Sequence, residues 1–114
     1  LIKKEWKYKH LVKTIKNNRE AFTGLYQIPW FIKWLEMNMH IFNEFYLYAK
    51  KLKYEGKRDV YSARAITQRL RWDTLFKEDG TQFKISDHTS PYMARLVMLI
   101  NKKLKGMFRI KYQK

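Results

Sequence analysis

Apolar residues return at helical spacing along four stretches of the chain. Tyr8, Leu11, Val12, Ile15 and Phe22 predict a helix from Lys3 to about Glu20, which Thr23-Gly24 breaks. The second stretch is the longest. Phe31, Trp34, Leu35, Phe42, Phe45, Tyr46, Ala49 and Leu52 form one stripe flanked by Met39 and Ile41. They predict a central core helix from Pro29 or Trp30 to about Tyr54, ended by Gly56. Asn38 falls inside that stripe, either as a satisfied buried amide or as a local exposure.

The third helix starts after Ser62, a capping residue, and buries Ala63, Ile66 and Leu70. Its opposite side presents Arg64, Thr67, Gln68 and Arg71. The fourth opens at Ser90-Pro91, with Ser90 as N-cap and Pro91 at the first helical position. Met93, Leu96, Val97, Ile100 and Leu104 point one way, Arg95, Leu99 and Lys102 lie nearer the other side, and Gly106 suits a C-terminal cap.

Two short segments alternate instead. Phe83 and Ile85 follow the turn-like Glu78-Asp79-Gly80-Thr81, and Phe108, Ile110 and Tyr112 close the chain. Two such strands are unstable alone, so they are expected to pair with each other and with a third that the pattern does not locate. The expected fold is therefore α+β: mostly helical, with a small antiparallel sheet, close to a winged helix in layout. No linker, repeat or low-complexity tract divides it. Residues 1–114 read as one domain, with 1–22 a candidate N-terminal helical appendage.

Composition supports a real core. The 114 residues are 46% hydrophobic and 17% aromatic, with four Gly and two Pro. The absence of cysteine removes disulfides and thiolate metal sites and fits a cytoplasmic setting. No apolar run approaches the roughly 20 residues that span a bilayer, so integral membrane association is not expected. The opening Leu1-Ile2-Lys3-Lys4-Glu5-Trp6 holds no signal-peptide core and no initiator Met, so further natural residues before it are an expectation.

Charge changes the picture most. Twenty-five Lys and Arg against ten Asp and Glu give a formal net charge of +15. Self-repulsion of that size is relieved by a polyanion. DNA or RNA is the first candidate partner; an anionic membrane or an acidic protein is the second, and a merely lysine-rich surface is the plain alternative. Lysine outnumbers arginine 18 to 7, which favours diffuse phosphate attraction over bidentate base reading. The basic first helix could lie on a membrane, but packing within the protein suits its modest stripe better.

Two surfaces compete as contact sites. Arg64, Gln68 and Arg71 share a helix face at i, i+4, i+7, with Thr67 beside them. Arg reads guanine, Gln reads adenine, and both hold phosphate; an ordinary solvated face explains the pattern nearly as well. On the fourth helix and beyond, Arg95, Lys102, Lys103, Lys105, Arg109, Lys111 and Lys114 form a basic run, with no acidic residue from Lys102 on. This is a candidate phosphate clamp, joined by Lys84. The helix macrodipole alone would also favour lysines there. Trp72, Tyr92 and Trp6 lie off the apolar stripes and are candidates for stacking on unpaired bases.

Catalytic signals are weak. Asp87-His88 could support acid-base cleavage of RNA, yet no second histidine accompanies it. No metal motif, glycine-rich phosphate loop or nucleophile motif occurs. No catalytic residue, metal or cofactor is expected.

Tyr61-Ser62-Ala63-Arg64-Ala65-Ile66, then Leu70-Arg71-Trp72, Gly80, Phe83-Lys84-Ile85-Ser86 and Tyr92-Met93-Ala94-Arg95 form a pattern. It resembles, over about residues 31–112, small uncharacterised proteins of phages and prophage-like regions. Those proteins pair a serine-led helix ending in Arg-Trp with a Phe-Lys-Ile strand and a Tyr-Ala-Arg helix. Arg71, Trp72, Lys84, Tyr92 and Arg95 carry the likeness; Ser86-Asp87-His88 departs from it, where an asparagine-rich turn is expected. The resemblance implies a mobile-element setting and a compact domain, without an active site. The leading expectation is a non-catalytic nucleic-acid-binding protein. The alternative is a phage protein that binds an acidic host protein of a defence or transcription machine, and a small nuclease stands third.

Overall fold

The computed structural model describes residues 5–56, 60–75 and 87–109, and of these the side chains at 73–75 and 87 are not described. Five α-helices organise the described residues: α1 (Tyr8–Asn17), α2 (Ile28–Met37), α3 (Met39–Glu55), α4 (Ala63–Leu75) and α5 (Ser90–Ile100). Short 3-10 turns follow α1 at Arg19–Phe22, precede α5 at Asp87–Thr89 and follow it at Lys102–Leu104.

Over the described residues the fold is all-helical, which corrects the expected α+β, winged-helix-like class. Among the described residues there is no strand and no sheet. Their only β pairing is an isolated parallel bridge between Tyr61 and Phe108, with the Tyr61 N–H donating to the Met107 carbonyl at 2.8 Å. Met107 and Phe108 are both buried, and successive burial is incompatible with a strand that shows one face to solvent. The strand expected at Phe83–Ile85 and the end of the last one, from Ile110 on, lie outside the described residues.

The long second helix is two. Asn38 ends α2 and starts α3 with φ −131° and ψ 34°. Its side-chain amide donates to the Trp34 carbonyl at 2.9 Å, and its own N–H bonds to Leu35 O at 3.2 Å. Its carbonyl accepts from Ile41 and Phe42. Asparagine competes with the helix for backbone partners, and here the competition wins. Asn18 repeats the device after α1: its amide donates to Thr14 O at 2.8 Å, and its N–H to Ile15 O.

Ser62 caps α4 as expected, its hydroxyl accepting from the Ala65 N–H at 3.2 Å. Ser90 does not cap α5. It is the first helical residue, it is buried, and the 3-10 turn ending at Thr89 leads directly into it. After α5, the chain passes through Lys102–Leu104 to Gly106, whose φ of 82° suits glycine. That turn aims Met107 and Phe108 back at the core.

The most deeply buried helix is α5. Six successive residues, Tyr92 to Val97, are buried, because its sequence has almost no polar face to give to water. It packs against α1, α3 and α4. Leu11 and Ile15 of α1 enter the same core as Phe31, Phe42, Phe45, Met93 and Leu96. Each fully buried Phe or Leu contributes about 1.5–3 kcal/mol. Tyr92 belongs to this core: its ring stacks on Phe31 at 4.9 Å and 16°, and its hydroxyl accepts from the Gln27 N–H at 2.9 Å.

Candidate functional site

A cleft of about 930 Å³ opens where the first turns of α4 and α5 meet α3 and the segment Gly24–Leu25. It exists because small residues face it. The cap Ser62 and Ala65, Ile66 and Arg69 of α4 lie at i, i+3, i+4, i+7 and share a face, while Ser90 and Ala94 are one turn apart on α5. Side chains this short leave a hollow beside the helix contact that Thr67 and Ser90 make. Tyr48 and Leu52 of α3 form another wall, and Val60 and Phe108 bring further apolar surface.

Gly56 holds one side of the cleft in shape. The Tyr61 ring lies so close that a Cβ at Gly56 would collide with the Tyr61 hydroxyl and the Leu52 carbonyl. That approach lets the Tyr61 hydroxyl donate to Leu52 O at 3.1 Å, so the ring stands as a fixed part of the lining.

Four of the chain's seven arginines line the cleft: Arg64 and Arg69 from α4, Arg95 from α5, and Arg109 from the segment after Phe108. None of the described lysines and no described Asp or Glu joins them. Arg64, Arg69 and Arg109 are exposed. Arg95 is 5% exposed, and its Nη1 donates to Pro91 O at 3.0 Å. Arg64, Arg69 and Arg95 each have a further interaction within the protein. The N-termini of α4 and α5 also border the cleft, and their dipoles add positive potential of the same sign.

The structure therefore divides the residues singled out in the sequence. Arg64, Arg95 and Arg109 come together, although the sequence pattern places them on two competing surfaces. Gln68 and Arg71 are exposed on α4 outside the cleft, as is Trp72 at 59% exposure. Lys102, Lys103 and Lys105 are exposed around the turn after α5, also outside it. Lys84 and Lys111 lie outside the described residues.

Two assignments are corrected. Thr67 is fully buried rather than on the exposed face; its hydroxyl pairs with the Ser90 hydroxyl at 2.8 Å and donates to Arg64 O at 2.8 Å. Tyr92 is a core ring, unavailable for stacking on a base. Trp6 is half-buried, stacked on His10 at 5.4 Å and edge-on to Tyr46 at 5.5 Å.

Arg69 is absent from the expected contact face, because Arg64, Gln68 and Arg71 define a different side of α4. The signal that points to it is the adjacent face, with two small residues, Ser62 and Ala65, leading to an arginine. Of the candidate acid-base pair, His88 is exposed in the turn before α5. Among the described residues no group of three or more His, Asp or Glu is gathered as metal ligands, and no helix is long and apolar enough to cross a membrane. No family model matches the chain, and no curated protein or solved structure matches it either.

Proposed function

We propose that the protein binds nucleic acid without catalysis and that the arginine-lined cleft is where it does so. The observation that carries the reading is the convergence of Arg64, Arg69, Arg95 and Arg109 on one concave surface, in a chain of net charge +15. Arginine's planar fork holds phosphate oxygens in pairs, and it is less strongly hydrated than an ammonium. Four guanidinium groups in one hollow hold a polyanion better than the same charges dispersed.

The test is a titration of labelled DNA and RNA oligonucleotides at several salt concentrations. If the three exposed arginines, Arg64, Arg69 and Arg109, each neutralise a phosphate, log affinity should fall against log salt with a slope of about −2 for a single strand. No complex at low ionic strength with any oligonucleotide would sink the reading. A lysate partner that survives both nuclease and high salt would replace it with an acidic protein.

A further inference from the structure

We infer that the cleft takes a single polynucleotide strand rather than a duplex, with one or two unstacked bases against its apolar lining and the adjoining phosphates at the arginines; this rests on the nucleic-acid reading above. The first ground is shape. The arginines line a hollow of about 930 Å³, near the upper end of the roughly 300–1,000 Å³ typical of small-molecule sites. That is room for a few bases and not for the girth of a double helix. A duplex is read by a protruding element, such as a helix seated in a major groove about 12 Å wide.

The second ground is chemistry. Between the arginines the lining is apolar and aromatic: Leu25, Leu52, Val60 and Ile66, with Tyr48 and Tyr61. A duplex shows such a surface only sugars, phosphates and groove edges, because its base faces are stacked on one another. An unpaired strand exposes those faces, and they cover apolar and aromatic surface well. Guanidinium groups serve both halves of such a ligand, forking onto phosphate and lying flat on a base.

Net charge alone predicts the opposite preference. Duplex DNA has the higher charge density and releases more counterions per contact than a single strand. A protein that merely carried +15 would hold a duplex at least as tightly. Preference for the single strand therefore reports the cleft and not the overall field.

The deciding measurement is fluorescence anisotropy with oligonucleotides of about 12 nucleotides, deoxy and ribo, as single strands and as duplexes of the same sequence, near physiological salt. Single strands are expected to bind about tenfold more tightly. A second arm uses Ala65→Trp. Ala65 is an exposed residue of the cleft wall, so the indole takes up part of the hollow without removing charge or touching the core. Single-strand affinity should change about tenfold, downward where the indole blocks the base or upward where it stacks on it, with duplex affinity and melting temperature unchanged. Equal or tighter binding of the duplex by the unmodified protein overturns the inference, as does single-strand affinity indifferent to Ala65→Trp. Failure to bind any oligonucleotide removes the nucleic-acid reading itself, a distinct result.

Discussion

Arg64, Arg69, Arg95 and Arg109 line one hollow, whereas Lys9, Lys13 and Lys16 of α1 and Lys102, Lys103 and Lys105 beyond α5 stand exposed outside it. Both groups are cationic, but they do different physical work. The lysines are compact, hydrated charges on flexible stems; they raise the potential over the surface and are screened within about 8 Å at physiological salt. The arginines border one hollow with apolar walls, where their forked geometry can meet a phosphate from more than one side. The excess of lysine in the composition describes the field, and the minority cation describes the site.

The sharpest way to break this contrast is to remove two exposed arginines from the cleft. Arg64→Ala with Arg109→Ala should lower single-strand affinity about 100-fold, at roughly tenfold for each charge-assisted hydrogen bond to phosphate that is removed. Both side chains are exposed, so the melting temperature should change little. An affinity within a few-fold of the unmodified protein would mean that the hollow is not the binding surface. The conservative pair Arg64→Lys and Arg109→Lys keeps the charge and should restore only part of the affinity.

A buried substitution sharpens the contrast from the other direction. Thr67 stands beside the contact residues in the sequence pattern, yet it sits fully buried on the side of α4 that meets α5, sharing a hydrogen bond with Ser90. Thr67→Val keeps the volume and strands the Ser90 hydroxyl in the interior. It should cost about 1.5 kcal/mol of stability, measured by denaturant unfolding. Affinity for single strands should remain unchanged, because the Thr67 hydroxyl meets only the backbone carbonyl of Arg64 and not its exposed guanidinium. A large loss of binding with unchanged stability would move Thr67 back to the contact surface.

How far the sequence is legible follows from the same residues. The Ser62 cap, the buried positions Ile66 and Leu70, and the start of α5 at Ser90-Pro91 are all readable, because caps and apolar period are local signals. The break at Asn38 is not. Phe31, Leu35, Asn38, Phe42 and Phe45 keep one helical phase through it, and periodicity cannot register an interruption that preserves phase. The alternation of Phe108, Ile110 and Tyr112 suggests a sheet, but two adjacent buried residues, Met107 and Phe108, re-enter the core there. The cleft is half legible. Three of its arginines stand out on separate segments, and the packing of α4 on α5 together with the Tyr61–Phe108 bridge brings them to one hollow. Such a meeting depends on how two distant helices cross, which no local pattern records.

The smallest predicted effect is also the most discriminating between a field and a site. Lys102, Lys103 and Lys105 belong to the basic run at the end of the chain and stand exposed outside the cleft. Replacing all three with alanine removes three positive charges, one more than the double arginine variant removes. If binding followed net charge, the triple variant should be the weaker binder and should lose the steeper part of its salt dependence. If phosphates sit at the arginines, the lysines act only through a screened potential, which assists encounter more than retention. The expected result is an affinity loss of about threefold to fivefold, mostly in the association rate, with the slope against log salt nearly unchanged. A loss matching that of the double arginine variant would show that charge counts without regard to where it stands, and the hollow would then have no privileged part in binding.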